Sequence, residues 1–179
     1  MSIFAIEEWY RDIKCTVYSI RKDIDNAASY TEADHFFEKY GSSADQDIAD
    51  AAKLILQFVV HEIAKVHGAK SVFFNRIERK AQALPYKAGK QFNNVIAVDH
   101  FYSNFPLRLY CYRLTDNIII LYNGGIKTSE TAQNSKDLSM KFYEAQHYTS
   151  KIEEALMDKT LFIANATLNS EDSSGEIIL

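Results

Sequence analysis

The alternation of apolar and polar residues is clearest between residues 106 and 128. From 107 to 112, apolar residues alternate with Arg108, Tyr110 and Tyr112, and a period of two is typical of a strand with one buried face. The pattern therefore predicts a strand that turns this Arg-Tyr-Tyr row toward solvent or into a groove. An ordinary sheet with a solvated polar face explains the same alternation without any function.

The rest of this stretch predicts a turn, a buried strand and a glycine-rich end. Residues 115–117 are Thr-Asp-Asn, which favours a turn, and residues 118–121 are an apolar run typical of a strand buried on both faces. Gly124 and Gly125 then end the strand before Lys127. Adjacent glycines do not fit a P-loop, which needs two glycines five residues apart. The whole stretch predicts an antiparallel hairpin that leads to a lysine.

Apolar residues spaced three or four apart predict helices along much of the remaining chain. Over 4–24 this spacing predicts an amphipathic helix, although the β-branched and aromatic residues of 14–20 would also suit a short strand. Some helix ends are predicted from single residues. Thr31 favours the N-cap of a helix, and Gly41 and Gly68 favour helix C-termini, with Gly41 expected in a left-handed conformation. Four further helices are predicted: one over 31–40, a long one from a Ser43–Gln46 capping box to 67, one over 70–84, and a last one from an Asn134 or Ser135 cap to 156.

The remaining segments have weaker patterns. Strands are expected over 95–101 and 160–168, and residues 169–179 are small, polar and acidic, as is typical of a disordered tail. We find no internal repeat and no interdomain linker. The sequence thus predicts an N-terminal helical extension over 1–45, followed by one domain over 46–168 and the tail.

Charge is distributed unevenly along the 179 residues. Residues 67–151 hold 12 Lys or Arg against 6 Asp or Glu, whereas 1–66 hold 7 against 12 and 152–179 hold 1 against 6. A basic middle between acidic flanks indicates a binding face or a masking tail. The hydrophobic content of 47% is enough for a packed core, and no apolar run approaches the length of a membrane span.

Several kinds of chemistry have no support in the sequence. Cys15 and Cys111 are far apart and lack metal-ligand spacing, so both are expected to be buried thiols in a reducing cytoplasm. The five histidines form no ligand motif, so we expect no metal site and no cofactor. No serine or cysteine has a recognisable base nearby in sequence, which argues against a nucleophilic hydrolase. The acidic N-terminus lacks the basic residues of an export signal, which favours a cytoplasmic protein.

Two segments carry a resemblance to a known family. Residues 73–85 are FFNRIERKAQALP, and residues 107–133 are LRLYCYRLTDNIIILYNGGIKTSETAQ, followed by a predicted helix. This arrangement resembles the RelE/ParE toxin superfamily, and is most similar to its HigB-like members, over about residues 49–156. Lys127 and Thr128 open a Lys-Thr-x-x-Thr-like element of that family.

The resemblance implies a fold and an activity. The fold would be α+β, with a small, twisted antiparallel sheet packed on helices. The activity would be that of a type II toxin, a ribosome-dependent mRNA endonuclease that works without metal. The implied partners are an antitoxin protein and RNA or the ribosome, with a second copy of the chain as a further candidate and no membrane.

The resemblance also implies a set of site residues. Arg108 and Lys127 match family positions and would be the cations that stabilise the attacked phosphate. By type and neighbourhood, His147 or Tyr148 would supply a proton in catalysis, since phosphate cleavage by a 2′-hydroxyl needs an acid and a base. Further residues would bind RNA through stacking or charge: Tyr110, Tyr112, Arg113, Lys87 and Lys90.

Two functions remain open on the sequence alone. The basic middle and the Arg-Tyr-Tyr row favour an RNA-directed toxin. The overall acidity favours a non-catalytic protein of the same fold, either a protein-binding module or an inactive toxin remnant. Residues 1–45 lie outside the resemblance, and would be a structural element, a built-in inhibitor lying across Arg108 and Lys127, or a dimer interface.

Overall fold

The computed structural model describes residues 3–87, 104–128, 135–172 and 174–179. Within these residues the chain has a mixed α+β fold, with a large, mostly antiparallel sheet and three α-helices. The strands are β1 (Ala5–Arg11), β2 (Thr16–Arg21), β3 (Ile77–Glu78), β4 (Ala81–Leu84), β5 (Leu107–Thr115), β6 (Ile118–Ile126), β7 (Leu161–Ala164), β8 (Thr167–Ser170) and β9 (Ile177–Ile178). The helices are α1 (Glu32–Gly41), α2 (Gln46–Gln57) and α3 (Ser139–Met157), with a π-helix (Phe58–His67) that continues α2 and a short 3-10 helix (Ser71–Phe74).

The main sheet has seven strands in the order β3-β4-β5-β6-β2-β1-β9. Neighbouring strands are antiparallel except β2 and β6, which run parallel. The β7–β8 hairpin forms a separate sheet. The predicted α+β class is confirmed, but the sheet is larger than the small sheet that the resemblance implies. In the described part of the chain, no helix has the length and apolar character to cross a membrane.

Helices cover both faces of the main sheet. α1, α2 and the π-helix pack on one face around Phe36, Ile55 and Phe58. α3 and the β7–β8 hairpin pack on the other face around Phe142. Because the sheet lies between two apolar cores, its central strands carry apolar side chains on both faces, as residues 118–121 do.

This double coverage overturns the predicted exposure of the Arg-Tyr-Tyr row. β5 and β6 form the predicted antiparallel pair, with Leu107 opposite Ile126. Arg108 and Tyr110, however, are only 2% and 0% exposed, while Tyr112 is partly open to solvent. The alternation along β5 separates two buried faces, because α3 covers the face that the pattern assigns to solvent.

Residues 5–21 form two strands and not the predicted amphipathic helix. β1 pairs with β2, and β2 pairs with β6 in the interior of the sheet. All six residues of β2 are buried, so its apolar side chains show no alternation and their spacing imitates a helical stripe. The strand alternative over 14–20 is therefore the correct one. Residues 1–45 are not a helical extension, since β1, β2 and α1 belong to the main sheet and its first core.

The predicted helix over 70–84 is also wrong. This segment forms the 3-10 helix and the β3–β4 hairpin. The chain reverses at Arg79, whose φ of 59° is left-handed, and Ala81 and Ala83 reach the core beneath α3. A left-handed residue other than glycine is uncommon, so nothing in the sequence marks this turn.

The other predicted helices are confirmed, with changes at their ends. Thr31 caps α1 through a capping box with Asp34, and the long helix ends before Gly68, whose φ is 78°. Gly41 is the last residue of α1 and does not have the predicted left-handed conformation.

The C-terminal segment takes part in the fold. β9 pairs with Ala5 and Ile6 of β1, so the predicted disorder over 169–179 is wrong for its described residues. The strand predicted over 160–168 is a hairpin, β7–β8, outside the main sheet. The strand predicted over 95–101, together with Lys90, lies outside the described residues.

Candidate functional site

Four cationic residues lie toward one end of the main sheet, on four neighbouring strands, and a glutamate, Glu78, lies beside the β3–β4 turn. Arg76 precedes β3, Glu78 lies in β3, Lys87 follows β4, Arg108 lies near the start of β5 and Lys127 follows β6. In an antiparallel sheet these alternating starts and ends fall on the same side. The charge of Glu78 interacts with those of all four cations. We call these five residues the Glu78 cluster.

Hydrogen bonds to the backbone hold the cluster together. Arg76 Nε donates to the carbonyl oxygen of Pro85 at 2.9 Å. The Asn75 side chain accepts from the Lys87 amide at 2.8 Å and donates to the Lys87 carbonyl at 2.9 Å. These bonds tie the start of β3 to the segment after β4, so Arg76 and Lys87 are kept close to each other.

The Glu78 cluster contains four cationic side chains and one carboxylate, so its formal net charge is positive. Burial, followed by the charge of Arg76, lowers the pKa of Arg108 to about 10, and burial also lowers the pKa of Arg76. Burial raises the pKa of Glu78, although the four cations favour its ionised form. Four cations around one carboxylate, partly removed from water, make a site suited to an anion such as a phosphate.

Arg108 does not reach solvent, in contrast to its predicted contact with RNA. Its Nη1 donates to the carbonyl oxygens of Phe105 at 2.9 Å and Leu107 at 2.7 Å. Arg108 therefore holds the segment that enters β5, and it contributes its charge from beneath the surface. Lys87 is the exposed member of the cluster, while three others are partly exposed: Arg76, Glu78 and Lys127.

Tyr110 lies fully buried among the same residues. Its ring packs edge-on against Phe142, so the predicted stacking of Tyr110 on an RNA base is wrong. Its hydroxyl is buried and has no hydrogen-bond partner among the described residues. Burial, followed by the charge of Glu78, raises the pKa of this hydroxyl, so Tyr110 stays neutral in the positive field of the cluster.

Tyr112 and Arg113 lie near the other end of β5, away from Arg108. The Tyr112 hydroxyl donates to Glu153 of α3 at 3.3 Å. Arg113 Nε donates to the carbonyl oxygen of Ala69 at 2.6 Å, and its Nη2 pairs with Asp116. Five residues of extended chain span roughly 16 Å. The structure therefore does not place these two predicted RNA-binding residues with Arg108.

The predicted acid pair, His147 and Tyr148, lies on the other flank of α3. Tyr148 is 3% exposed, and its ring packs against Phe4 at 4.9 Å and Tyr122 of β6 at 5.4 Å. His147 borders the same Phe4 ring. Tyr122 precedes Lys127 by five residues, which span roughly 16 Å of extended strand. The four predicted catalytic residues are thus divided between two places, with Arg108 and Lys127 in one and His147 and Tyr148 in the other.

A second polar network borders a cavity of about 500 Å³ between α1, the end of β6 and the start of α3. The Glu32 carboxylate is 4% exposed, accepts from Asn123 Nδ2 at 3.0 Å, and pairs with Lys22 at 3.6 Å and Lys141 at 3.9 Å. Burial alone would lower the pKa of Lys22, but a hydrogen bond to Glu144 and the charge of Glu32 raise it. The network contains charges of both signs and joins β2, α1, β6 and α3. We therefore interpret it as a structural link between these elements.

Sequence reasoning missed two carboxylates, the half-buried Glu78 and the buried Glu32. Glu78 stands in the charged run 76–80, and assigning that run to a helix conceals its place beside β4 and β5. Glu32 follows the N-cap Thr31, where an acidic residue is already explained by the helix dipole. A carboxylate amid basic residues, in a segment recognised as a hairpin, would have been the signal for Glu78.

Metal-ligating and reactive thiol groups do not add another site in the described residues. No group of three or more His, Cys, Asp or Glu side chains there is placed to hold a metal ion. Cys15 and Cys111 are free and buried, as predicted. Burial raises the pKa of Cys15 to about 12, so its thiol stays protonated and unreactive at neutral pH.

Comparison of the chain with family models, with curated proteins and with solved structures finds no match. The resemblance to the RelE/ParE superfamily therefore remains a prediction carried by residues 73–85 and 107–133. Both segments contribute to the Glu78 cluster, the first through Arg76 and Glu78 and the second through Arg108 and Lys127.

Proposed function

We propose that this chain is an RNA-directed protein of the toxin type, with the Glu78 cluster as its phosphate site. The observation that carries the proposal is that the charges of four cationic side chains act on one half-buried carboxylate. RNA presents a phosphate at every nucleotide, and Lys and Arg are the side chains that most often bind it. Arg108 and Lys127, which match the superfamily most closely, both belong to this cluster.

The cluster has the groups needed to cleave RNA by attack of a 2′-hydroxyl on the adjacent phosphate. Glu78 accepts the proton of the 2′-hydroxyl, and its raised pKa makes it a stronger base than an exposed carboxylate. Lys87 and Lys127 stabilise the charge that develops on the phosphate oxygens, while Arg108 adds its charge from beneath. The bond to the 5′-oxygen breaks, and a lysine ammonium protonates that oxygen. The products are a 2′,3′-cyclic phosphate and a 5′-hydroxyl, and the proposed step uses no metal ion.

This proposal is tested by measuring how the purified chain cleaves a mixed-sequence RNA. The assay is run in the presence of EDTA, with and without ribosomes. We expect Lys127→Ala to lower the rate about 10²-fold, as for the loss of one transition-state donor. Glu78→Gln should lower it about 10²- to 10⁴-fold, as for the loss of a general base. RNA binding should weaken steeply with salt, because it rests on phosphate contacts and counterion release.

The control is Lys53→Ala, which removes an exposed lysine from α2 on the opposite face of the sheet. This variant should cleave and bind like the wild type. If Lys127→Ala and Glu78→Gln also cleave at the wild-type rate, with unchanged melting, the cluster has no part in the reaction.

A non-catalytic protein of the same type, used as a protein-binding module or left as an inactive remnant, is the second candidate. Two observations favour it: Arg108 is committed to the carbonyls of Phe105 and Leu107, and His147 and Tyr148 lie apart from the cluster. A wild-type chain that neither binds nor cleaves RNA, with or without ribosomes, would support this alternative. An antitoxin-like protein is the proposed partner in both cases, and the cytoplasm the proposed location.

A further inference from the structure

The two glycines before Lys127 allow two other segments to approach β6 closely. A Cβ atom on Gly124 would lie 1.8 Å from the carbonyl oxygen of Arg108. A Cβ atom on Gly125 would lie 2.6 Å from Oδ2 of Asp137. Distances this short cannot be accommodated without movement. Gly125 therefore makes room for one particular carboxylate at the end of the strand.

Asp137 uses that room to bind the backbone next to Lys127. Its Oδ2 accepts from the Ile126 amide at 2.7 Å and from the Tyr40 hydroxyl at 2.8 Å. Hydrogen bonds to an ionised acceptor are stronger than those between neutral groups. Asp137 thus ties the last residue of β6 to α1 and to the segment that enters α3.

The two residues that follow are held in the same way. The Lys127 amide donates to the carbonyl oxygen of Pro106 at 2.8 Å, and the Thr128 amide donates to Ser135 Oγ at 3.2 Å. Residues 126, 127 and 128 each have a fixed backbone amide. Of the three acceptors, only Asp137 provides a charged side chain.

We infer that Asp137 is a positioning residue, which fixes the backbone from which the Lys127 side chain reaches the Glu78 cluster. The inference deepens the proposed function, since the value of a fixed Lys127 depends on its contact with a phosphate. A displacement of about 1 Å at a catalytic group can lower a rate about 10²-fold. Residues that hold such a group therefore affect catalysis without touching the substrate.

Three measurements on Asp137→Ala test the inference. Hydrogen exchange of the Ile126 amide should accelerate about tenfold, as expected for a charge-assisted bond worth about 1.4 kcal/mol. The rate of reductive methylation of Lys127, relative to the exposed Lys53, should change. The kcat for RNA cleavage should fall about tenfold with a smaller change in KM, because position matters most in the transition state.

Tyr40→Phe is the matched control, because it removes the other hydrogen bond to Oδ2 and leaves the Ile126 bond in place. It should keep wild-type kcat and Lys127 methylation, whereas Asp137→Asn, which retains an oxygen acceptor, should recover most of the lost activity. Gly125→Ala displaces the same carboxylate, because the added methyl group meets it from the strand. If Asp137→Ala folds poorly, Gly125→Ala takes its place in the three measurements and should show the same changes.

Wild-type exchange at Ile126 and wild-type methylation at Lys127 in both Asp137→Ala and Gly125→Ala would overturn the inference. Equal losses of kcat in Asp137→Ala and Tyr40→Phe would also overturn it, because they indicate a general effect on stability. A wild-type chain without RNA binding or cleavage would instead refute the proposed function. Exchange and methylation would still decide whether Asp137 positions Lys127.

Discussion

At the scale of single residues, Glu78 is a carboxylate whose ionisation is opposed by its surroundings. Burial raises its pKa, so the folded chain holds this proton more tightly than the unfolded chain does. Stability therefore falls as pH rises from the unfolded pKa of a glutamate, about 4.3, to the higher folded value. A titratable group kept under such conditions inside a cluster of cations is typical of a functional site.

We expect Glu78→Gln to raise the melting temperature at about pH 8, because the amide cannot ionise. Below about pH 4 the wild-type carboxyl is largely protonated in both states, and the difference should disappear. Melting curves of both proteins at the two pH values measure the effect. Glu154→Gln, at a side chain 66% exposed, controls for the exchange of glutamate for glutamine itself. A variant that melts below the wild type at the higher pH would contradict the assignment of Glu78.

At the scale of the elements, the pairing of β5 with β6 depends on close contact at Gly124. A methyl group there would meet the carbonyl of Arg108 at 1.8 Å, and backbone cannot rotate away as a side chain can. We expect Gly124→Ala to lower the free energy of unfolding by at least about 3 kcal/mol, a large value for overpacking. Denaturant unfolding measures the loss.

The same substitution at Gly41 is the control. Gly41 ends α1 without a left-handed φ, and a Cβ atom there has no neighbour within 4 Å. Gly41→Ala should therefore be neutral or stabilise the fold by up to about 1 kcal/mol, because alanine is the better helix former. Similar losses at both glycines would show that the contact at Gly124 is not what the pairing of β5 with β6 depends on.

The elements differ in how much of them the sequence could reveal. The N-cap at Thr31, the long helix before Gly68 and the β5–β6 hairpin follow from local signals, and all three were predicted. β2 is buried on both faces, so its apolar residues lack the alternation that marks a strand. The β3–β4 turn depends on a left-handed Arg79, which no local rule favours.

The candidate site, like the helices and strands, was predicted only in part from the sequence. Arg108 and Lys127 were selected from their family-like positions, and they do lie together with Lys87. Their partner Glu78 could not be chosen, because its place depends on the long-range pairing of β4 with β5. The burial of Arg108 also depends on tertiary structure, since α3 packs on that face of the sheet.

At the scale of the whole molecule, the order of the strands decides what the N-terminal residues do. β2 separates β6 from β1, and it lies on the opposite side of β6 from Arg108 in β5. The alternative of a built-in inhibitor lying across Arg108 and Lys127 is therefore wrong for β1 and β2. Without these strands, the edge of β6 would be unpaired, and the apolar residues of both cores beside it would be exposed.

Deleting residues 1–45 should for this reason abolish folding. The deletion removes β1, β2 and α1, and it leaves the edge of β6 unpaired beside apolar residues that both cores bury. An unpaired apolar edge strand promotes aggregation, so the product should be insoluble or lack a cooperative melting transition. Deleting residues 171–179 removes β9 with its pairing to Ala5 and Ile6, the two backbone hydrogen bonds between Leu179 and Phe4, and the ion pair of Glu176 with Arg21. That product should remain soluble, with a melting temperature lower by roughly 5–10 °C, because it loses these contacts and the burial of Ile177. Solubility, circular dichroism and melting of the two truncations distinguish these outcomes, and a soluble, cooperatively folded 46–179 fragment would show that the N-terminal strands are dispensable.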